Sequence, residues 1–434
     1  MTSHIIESNI HVNHIHYKEN SLYCEDVLVA ELAEEYGTPL YVYSKNEILD
    51  NLRSIQAALG GGENLVCYAL KANSNPAILK MLAGEGAGAD VVSAGELFLA
   101  LNAGFAPDKI AFAGVGKRED EIEYALHRNI ASFNVESTAE LQLLSLSSVR
   151  LNKRATVSIR INPDIDAQSH PYITTGLNSN KFGVEAARAL DVFAYAATLP
   201  NLDVTGVHTH IGSQIIKQEP FVATAQFVAE LVEKLRTAEI KISRIDFGGG
   251  VGVKYFNALT HEALPKEDPQ HEFIPSATDV VAAVLPTLRQ TGCSVWLEPG
   301  RSVVAEAGML VTRVLYRKEN GSKQFLIVDA AMTDLLRPAL YQAHHQIVPA
   351  AIQTYEHEQA DVVGPVCETG DFLARDRMIT RSKPGEILAV LTAGAYGFVN
   401  TSQYNARLRP AEVLVNGDRV RLIRPRERLE DLLR

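Results

Sequence analysis

Residues 65–82, LVCYALKANSNPAILKML, combine a short apolar run with a segment of helical character. The run LVCYAL has the length and apolar content of a buried strand, and the segment from Asn75 to Leu82 is amphipathic with a helical period. Lys71 stands directly after the apolar run. The stretch therefore predicts a strand–loop–helix unit of a parallel sheet, with Lys71 at the carboxyl end of the strand.

The same alternation of apolar runs and amphipathic segments extends from about Gly37 to Arg301. Strand, helix and strand in this rhythm indicate βαβ units, and eight such units close a (β/α)8 barrel of the TIM type. We therefore predict an α/β protein whose barrel spans residues 36–301. The eight apolar runs are LVCYAL (65–70), ADVVSA (89–94), KIAFAG (109–114), ASFNVES (131–137), TVSIRI (156–161), DVTGVHTHIG (203–212), RIDFGGG (244–250) and SVWLEP (294–299).

Beyond Arg301 the apolar runs follow one another with turn signals and little helix between them. The sequence Asn416-Gly417-Asp418 is typical of a hairpin that joins two antiparallel strands. This pattern predicts a mostly antiparallel β domain over residues 302–434. The leader, residues 1–35, has short β-like pieces of its own, and we expect it to pair into the same domain.

The chain of 434 residues has 41 Lys and Arg against 52 Asp and Glu, a formal net charge of −11. This balance argues against broad binding to nucleic acid or to anionic membranes, which needs a basic surface. No stretch reaches the roughly 20 apolar residues that span a bilayer. The cysteines are scattered without a CxxC pair, which disfavours disulfides and zinc and fits a cytoplasmic location. No metal site is predicted, because the histidines of the polar leader fit no ligand spacing; they are His4, His11, His14 and His16.

Polar, charged and glycine residues gather where the eight predicted strands end. In a barrel of this type those ends meet at one face, where active sites lie. A lysine there is either a nucleophile in a partly buried mouth, where desolvation lowers its pKa, or an ordinary surface lysine at the start of a loop. The residues at these ends are Lys71, Asp90 with Ser93, Gly114, Asn134 with Glu136, Arg160 with Asn162, His208 with His210, Gly248–Gly250, and Glu298 with Arg301.

Each of the other strand ends also admits a functional and a structural interpretation. The triplet Gly248–Gly250 is either a backbone cradle for a phosphate or an ordinary tight turn. Glu298 and Arg301 either face a ligand or pair with each other. His208 and His210 point the same way, and they either stack on a flat cofactor or are satisfied in the core. No acidic partner that would complete a metal site is evident beside the two histidines.

Taken together and in order, these segments resemble the alanine-racemase-like barrel enzymes that use pyridoxal phosphate (PLP), and within them the diaminopimelate decarboxylase family. The resemblance covers almost the whole chain, and eight ordered blocks are far more specific than a lone lysine or glycine run. It implies PLP-dependent release of CO2 from meso-2,6-diaminopimelate to give L-lysine, the last step of lysine biosynthesis. The blocks are YALKAN (68–73), NSNKFGV (178–184), HTHIGSQ (208–214), FGGG (247–250), EPGR (298–301), LLRPALY (335–341), GPVCETGD (364–371) and GAYG (394–397).

The resemblance also implies roles for individual residues. Lys71 would hold PLP as a Schiff base, His210 would stack on the ring, and Glu298 would keep the ring nitrogen protonated. Cys367, which taken alone is equally explained as a buried apolar thiol, would donate a proton. The Cys367–Glu368 segment would come from the second subunit of a homodimer with shared active sites. The other cofactor-binding residues would be Asp90, Ser213, Gly248, Gly249, Gly250, Gly300, Arg301 and Tyr396, and the substrate-binding residues would be Arg301, Arg337, Tyr341, Glu368 and Tyr396.

Two arginines suit an amino-acid substrate with a second carboxylate, because guanidinium grips carboxylate bidentately, and Glu368 suits its distal ammonium. Ornithine-type relatives carry CDG-like residues where this chain has Cys367-Glu368-Thr369, which favours the diaminopimelate branch. A related decarboxylase acting on ornithine, arginine or a siderophore or antibiotic precursor is the main alternative. A racemase and a PLP-binding protein without catalysis are the others, and the Cys367 segment speaks against both.

Overall fold

The structure, a computed structural model, describes residues 14–167, 170, 172, 175–176, 180–267 and 274–433. His4, His11 and part of the NSNKFGV block lie outside the described residues. The described part begins with three short strands, a helix, a fourth strand and a long helix: β1 (Ile15–Lys18), β2 (Ser21–Cys24), β3 (Val27–Leu28), α1 (Val29–Tyr36), β4 (Leu40–Ser44) and α2 (Lys45–Leu59).

Strands and helices then alternate. The strands are β5 (Leu65–Ala69), β6 (Gly88–Val91), β7 (Ile110–Phe112), β8 (Ser132–Val135), β9 (Ala155–Asn162), β10 (Val184–Glu185), β11 (Leu202–His208), β12 (Arg244–Asp246) and β13 (Ser294–Leu297). The helices are α3 (Pro76–Gly84), α4 (Ala94–Ala103), α5 (Glu119–Arg128), α6 (Thr138–Arg150), α7 (Ala189–Thr198), α8 (Glu219–Thr237) and α9 (Ala277–Gln290). The last part contains α10 (Arg301–Val304), β14 (Gly308–Asn320), β15 (Lys323–Val328), α11 (Arg337–Tyr341), β16 (Ile347–Pro349), β17 (His357–Val363), β18 (Phe372–Thr380), β19 (Ile387–Val390), β20 (Ala411–Asn416) and β21 (Arg419–Arg424).

Eight parallel strands close into a barrel. β5 to β9 pair in sequence order, β9 pairs with β11, and the circle returns through β12 and β13 to β5. The short β10 pairs with β9 beside this circle. The strands are buried almost throughout, because helices cover the outside while side chains fill the interior, and this explains their nearly continuous apolar runs. The predicted barrel is confirmed, with all eight strands at the predicted runs.

A second sheet has the order β18-β17-β15-β14-β4-β20-β21, with β19 joining β14 to β16. Its pairings are antiparallel except for two, β15 with β17 and β20 with β4. The hairpin predicted at Asn416-Gly417-Asp418 joins β20 to β21. The leader strands β1 to β3 form a small sheet that contacts the second sheet region through a bridge between Ser21 and Ala351. The prediction of a mostly antiparallel β domain is confirmed.

The boundary predicted at residue 36 is wrong for one strand. Residues 36–301 place β4 in the barrel, whereas β4 pairs with β14 and β20 in the second sheet. The reason is that β4, LYVYS, is buried along its whole length and is followed by α2, so its local pattern equals that of a barrel βα unit. Only the hydrogen-bond partners distinguish the two sheets, and a local sequence pattern does not contain them.

The second sheet region closes over the carboxyl ends of the barrel strands. The Asn73 side-chain amide, just after β5, donates to the carbonyl of Gly394 at 3.1 Å. The N–H of Tyr396 donates to the carbonyl of Ala72 at 2.7 Å. These bonds fix the GAYG loop beside the loop that carries Lys71. In the described ranges, no helix has the length and apolar character that crossing a membrane requires.

Candidate active site

A cavity of about 590 Å³ lies where the barrel strands end under the second sheet region. Its position agrees with the rule that active sites of such barrels lie at the carboxyl face. Most residues to which the sequence gives a role line it, and they come from six separate segments of the chain. Those residues are Lys71, His210, Ser213, Gly250, Glu298, Gly300, Arg301, Arg337, Tyr341 and Tyr396.

Lys71 forms an ion pair with Asp90, which lies at the end of the neighbouring strand β6. Its Nζ donates to Asp90 Oδ2 at 2.5 Å, and the carboxylate is fully buried whereas the lysine side chain is one-third exposed to the cavity. Burial disfavours the charged ammonium, but the negative charges of Asp90 and Glu298 outweigh it and raise the pKa of Lys71 above its ordinary value. The predicted lowering of the Lys71 pKa by desolvation is therefore wrong for the protein's own groups.

Glu298 lies at the bottom of the cavity in a network of buried polar groups. The Asn134 amide donates to Glu298 Oε1 at 3.2 Å and to Asp246 Oδ2 at 2.8 Å, and His208 Nε2 lies 3.3 Å from Glu298 Oε2. Burial, with the nearby charge of Asp90, raises the pKa of Glu298 to about 8. Burial and Glu298 likewise raise the pKa of Asp246 to about 8. The protein's groups alone therefore favour a proton between the two carboxyls.

The two histidines of β11 and its following loop have different surroundings. His208 is buried inside the barrel beside Asp246 and Glu298, with ligand-type atoms of the three residues within 4.8 Å of one another. The interpretation that His208 has no acidic neighbours is therefore wrong, because those neighbours lie on other strands. Burial lowers the pKa of His208 to about 4 and lowers that of His210 well below its ordinary range. His210 lines the cavity as a neutral ring, a form suited to stacking on a flat ligand.

The glycine triplet is used mainly inside the protein. The N–H of Gly248 donates to Asp246 at 3.2 Å, and that of Gly249 donates to His210 Nδ1 at 3.2 Å. Only Gly250 of the three lines the cavity. Gly250 has φ +102°, and a Cβ there would meet the carbonyl oxygen of Gly212 at 2.2 Å, so no other residue fits. The prediction that the glycine N–H groups approach a phosphate therefore remains for Gly250 alone.

Arg301 crosses the cavity wall between two hydroxyl groups. Its Nη2 donates to Ser213 Oγ at 2.9 Å, and its Nη1 donates to the hydroxyl of Tyr255. The Tyr396 ring lies against the same guanidinium, with 4.7 Å from Cζ to the ring centroid. The buried Nε of Arg301 has no hydrogen-bond partner among the described groups. The alternative in which Arg301 pairs with Glu298 is not observed among the described residues.

Arg337 begins α11 and is buried beside Arg301. Its Nη1 donates to His345 Nε2 at 2.7 Å, and its Cζ lies 4.4 Å from the centroid of the Tyr255 ring. Burial lowers the pKa of Arg337, and the neighbouring charge of Arg301 adds to that effect. Tyr341 ends the same helix and lines the cavity. The described residues provide no carboxylate ion pair to either arginine, so the two guanidiniums present unneutralised positive charge to the cavity.

Cys367 and Glu368 lie apart from these residues. Both are exposed on the surface of the chain, and neither lines the cavity. The N–H of Cys367 donates to Asn405 Oδ1 at 2.8 Å, and the hydroxyl of Tyr404 donates to Glu368 at 2.6 Å. The alternative that Cys367 is a buried apolar thiol is therefore wrong. Its role as a proton donor stays a prediction, since it requires a second chain.

Sequence reasoning missed three residues that support the site, namely Asp246, Tyr255 and His345, and it assigned no bridging role to Asn134, which it had placed at a strand end. Asp246 ends β12 and Asn134 lies in β8. Because the carboxyl ends of barrel strands meet at one face, the sequence could have predicted that these two residues lie close together. Tyr255 and His345 lie in loops far apart in the chain, and no local pattern connects them. Conversely, Ser93 at a strand end is structural, because its hydroxyl accepts the Glu96 N–H and caps α4.

The similarity of the chain to known proteins identifies the class of enzyme in which such a cavity occurs. Residues 45–305 match the family model of the pyridoxal-dependent decarboxylases, pyridoxal binding domain. A diaminopimelate decarboxylase from Aquifex aeolicus is 45% identical over 414 residues, 95% of either chain. One from Pseudomonas aeruginosa is 46% identical over 416 residues, 96% of this chain and 97% of the relative. The crystal structure of diaminopimelate decarboxylase from Helicobacter pylori complexed with L-lysine superposes with a TM-score of 0.86 at 43% identity, covering 93% of this chain and 98% of that one.

The chain therefore belongs to the pyridoxal-dependent decarboxylases. Within them, its place is in the diaminopimelate decarboxylase family, as the resemblance of the eight sequence blocks predicts.

Proposed function

We propose that this protein releases CO2 from meso-2,6-diaminopimelate to form L-lysine, with PLP held covalently on Lys71. The observation that carries the substrate is the pair of buried guanidiniums, Arg301 and Arg337, facing one cavity with no carboxylate partner in the described ranges. Buried charges are costly unless paired, so a substrate that brings a second carboxylate supplies what the cavity lacks. The Helicobacter pylori relative is complexed with L-lysine, the product of this reaction.

The residues present fit PLP. Asp90 Oδ1 and Arg301 Nε are buried polar atoms without partners among the described groups, one beside Lys71 and one beside Ser213. Ser213 and Arg301 are joined by a hydrogen bond and line the cavity together with Gly250, and these three residues would hold the phosphate. When bound, PLP supplies the electron-withdrawing ring that accepts the electron pair left behind by CO2.

The chain's own residues orient the reactants and hold protons. Asp90 fixes the Nζ of Lys71, and Glu298 at the cavity bottom would accept a hydrogen bond from a protonated ring nitrogen. Neutral His210 would cover one face of a flat ligand without adding charge. Tyr396 and Tyr341 close the cavity wall, and the second sheet region above limits the access of water.

The proton that replaces CO2 would come from Cys367 of a second copy of the chain. Cys367 and Glu368 are exposed together on one surface segment, where an intermolecular contact would bury them. A homodimer with twofold symmetry places the same segment of either copy at the cavity of the other, which completes two sites at once. Glu368 would then face the distal ammonium of the substrate.

Purified protein supplied with PLP is expected to release CO2 from meso-diaminopimelate at least about 10²-fold faster than from ornithine, arginine or lysine. The last three substrates lack the distal carboxylate and would leave the buried guanidinium of Arg337 without a carboxylate partner, a loss of about 3 kcal/mol. The measurement is kcat/KM for CO2 release, with and without added PLP. A preference for ornithine or arginine would support the related decarboxylases instead. Exchange of the α-proton with the carboxylate retained would support a racemase.

The protein freed of PLP is expected to lose stability as pH rises from 6.5 to about 8. The folded-state pKa values of Glu298 and Asp246, about 8, lie above those of the unfolded chain, so the folded state retains a proton that the unfolded state has released. Each such proton costs about 1.4 kcal/mol of unfolding free energy per pH unit within this window. His208, with its pKa lowered to about 4, acts in the opposite direction only below about pH 6.5.

Thermal unfolding of the wild-type protein and of the Asp246→Asn and Asp203→Asn variants tests this expectation. Asp246→Asn removes one member of the proton-sharing pair and should flatten the dependence of the unfolding temperature on pH. Asp203 pairs with Arg154 at the surface, so its variant should keep the wild-type dependence. An equal slope for wild type and Asp246→Asn would contradict the shared proton.

A further inference from the structure

We propose that Tyr255 and His345 are positioning residues that hold the guanidiniums of Arg301 and Arg337 side by side, and thereby set the preference for a substrate with a second carboxylate. The proposal rests on the proposed function for the role of the arginines. It adds two residues that contact the arginines: Tyr255 holds Arg301 through its hydroxyl, and His345 holds Arg337 through a ring nitrogen.

Tyr255 contacts both arginines with different parts of its side chain. Its hydroxyl accepts a hydrogen bond from Arg301 Nη1, and the face of its ring lies 4.4 Å from Arg337 Cζ. The ring is 5% exposed, and its backbone carbonyl accepts the N–H of Gln346 at 3.2 Å, so the residue is fixed in place. A phenol has a hydroxyl oxygen that accepts a hydrogen bond and a ring face with negative electrostatic potential. It can therefore contact two neighbouring cations at the same time.

His345 holds Arg337 through one defined tautomer. Its Nδ1 lies 2.8 Å from the carbonyl oxygen of Leu391, which only accepts, so Nδ1 carries the hydrogen and donates. The lone pair of Nε2 is therefore free to accept from Arg337 Nη1 at 2.7 Å. The ring is fully buried and packs edge-on against Tyr255, with centroids 4.9 Å apart at 77°. Burial and the charge of Arg337 keep the pKa of His345 well below its ordinary range, so the acceptor persists at neutral pH.

These contacts matter because the two guanidiniums repel each other in a buried site. Neither is neutralised by a carboxylate in the part of the chain that the structure describes, and each carries a flexible side chain with much rotamer freedom. Acceptors that bear no net charge hold the guanidiniums without cancelling the positive charge that attracts a ligand. An acidic residue in either position would instead occupy the guanidinium and compete with the substrate. Preorganisation of this kind lowers the entropy lost when a carboxylate binds.

The division of labour can be tested with Tyr255→Phe and His345→Phe in the PLP-loaded protein. Tyr255→Phe removes the hydroxyl that holds Arg301 but keeps the ring beneath Arg337. His345→Phe removes the acceptor for Arg337, and His345→Gln restores one through its side-chain oxygen. Tyr316, which is 66% exposed on β14, provides the matched control Tyr316→Phe. The probe is pimelate, a dicarboxylate of the same chain length as diaminopimelate, and its binding is measured by calorimetry without turnover.

We expect Tyr255→Phe and His345→Phe each to weaken pimelate binding by about tenfold, the effect of one lost hydrogen bond to a charged group. In turnover of meso-diaminopimelate the loss should appear mainly in KM, and the visible absorbance of bound PLP should be unchanged. His345→Gln should recover most of the affinity. Tyr316→Phe should behave as wild type.

Results for the wild-type protein test the substrate assignment, and results for the variants test the positioning role separately. If the wild-type protein neither binds pimelate nor releases CO2 from meso-diaminopimelate, the substrate assignment is overturned and this proposal falls with it. If the wild type does both and Tyr255→Phe binds pimelate equally well, only the positioning role is overturned. Equal losses in His345→Phe and His345→Gln would show that His345 serves packing alone, and would remove it from the proposal.

Discussion

Lys71→Ala is expected to abolish the visible absorbance of bound PLP and to lower CO2 release by at least about 10⁴-fold. Lys71 is the one lysine among the described residues that line the cavity, and its Nζ is fixed by Asp90 at 2.5 Å. No neighbouring amine can replace it, because the other polar groups of the cavity are carboxyl, guanidinium, hydroxyl, amide and imidazole groups. The spectrum of the protein with added PLP and the rate of CO2 release are the two measurements.

The loss of Lys71 also leaves the buried carboxylate of Asp90 without its cation, which by itself can destabilise the fold. The double variant Lys71→Ala/Asp90→Asn removes that unpaired charge, and it should be as inactive as the single variant while folding normally. Lys80→Ala, at an exposed position of the helix that follows, is the matched control and should keep both the spectrum and the activity. Substantial activity in folded Lys71→Ala would contradict the assignment of Lys71.

The barrel could be predicted from the sequence because each of its strands is an apolar run next to an amphipathic helix, and closure follows from their number. The membership of β4 could not, since a buried strand followed by a helix has the same local pattern in either sheet. The parallel pairings of β15 with β17 and of β20 with β4 also join strands that are distant in sequence. A short stretch of sequence indicates whether a strand is buried, but it does not indicate which other strand pairs with it.

The chemical properties of the site were also only partly predictable from the sequence. Strand ends and family blocks identified the residues around the cavity, but the sign of a pKa shift depends on distances between segments. Lys71 was expected to be a weakened base, but the charges of Asp90 and Glu298 raise its pKa, and burial with the charge of Asp90 raises that of Glu298. The glycine triplet was expected to face a phosphate, and two of its N–H groups instead bind Asp246 and His210.

Cys367→Ala is expected to keep the visible absorbance of PLP and to lower CO2 release by about 10²–10⁴-fold, as the loss of a general acid does. The cofactor should remain because the groups that would hold it, such as Lys71, Ser213 and Arg301, are unchanged. Cys367→Ser, which retains a weaker proton donor, should fall between the alanine variant and wild type. The exposed Met378 gives the control Met378→Ala, which should be fully active. Unchanged turnover in Cys367→Ala would exclude Cys367 as the proton donor.

Mixing the two inactive variants tests where Cys367 acts. If each site takes Lys71 from one copy and Cys367 from the other, a mixed dimer of Lys71→Ala with Cys367→Ala contains one site in which both residues are intact. Random exchange of equal amounts makes half of the dimers mixed, so about one quarter of the wild-type activity should return. If both residues acted within one chain, every mixed dimer would hold one site without Lys71 and one without Cys367. Mixed dimers that form without recovering activity would therefore place Cys367 outside the partner's site, because only an exchange across the interface can rebuild a complete one.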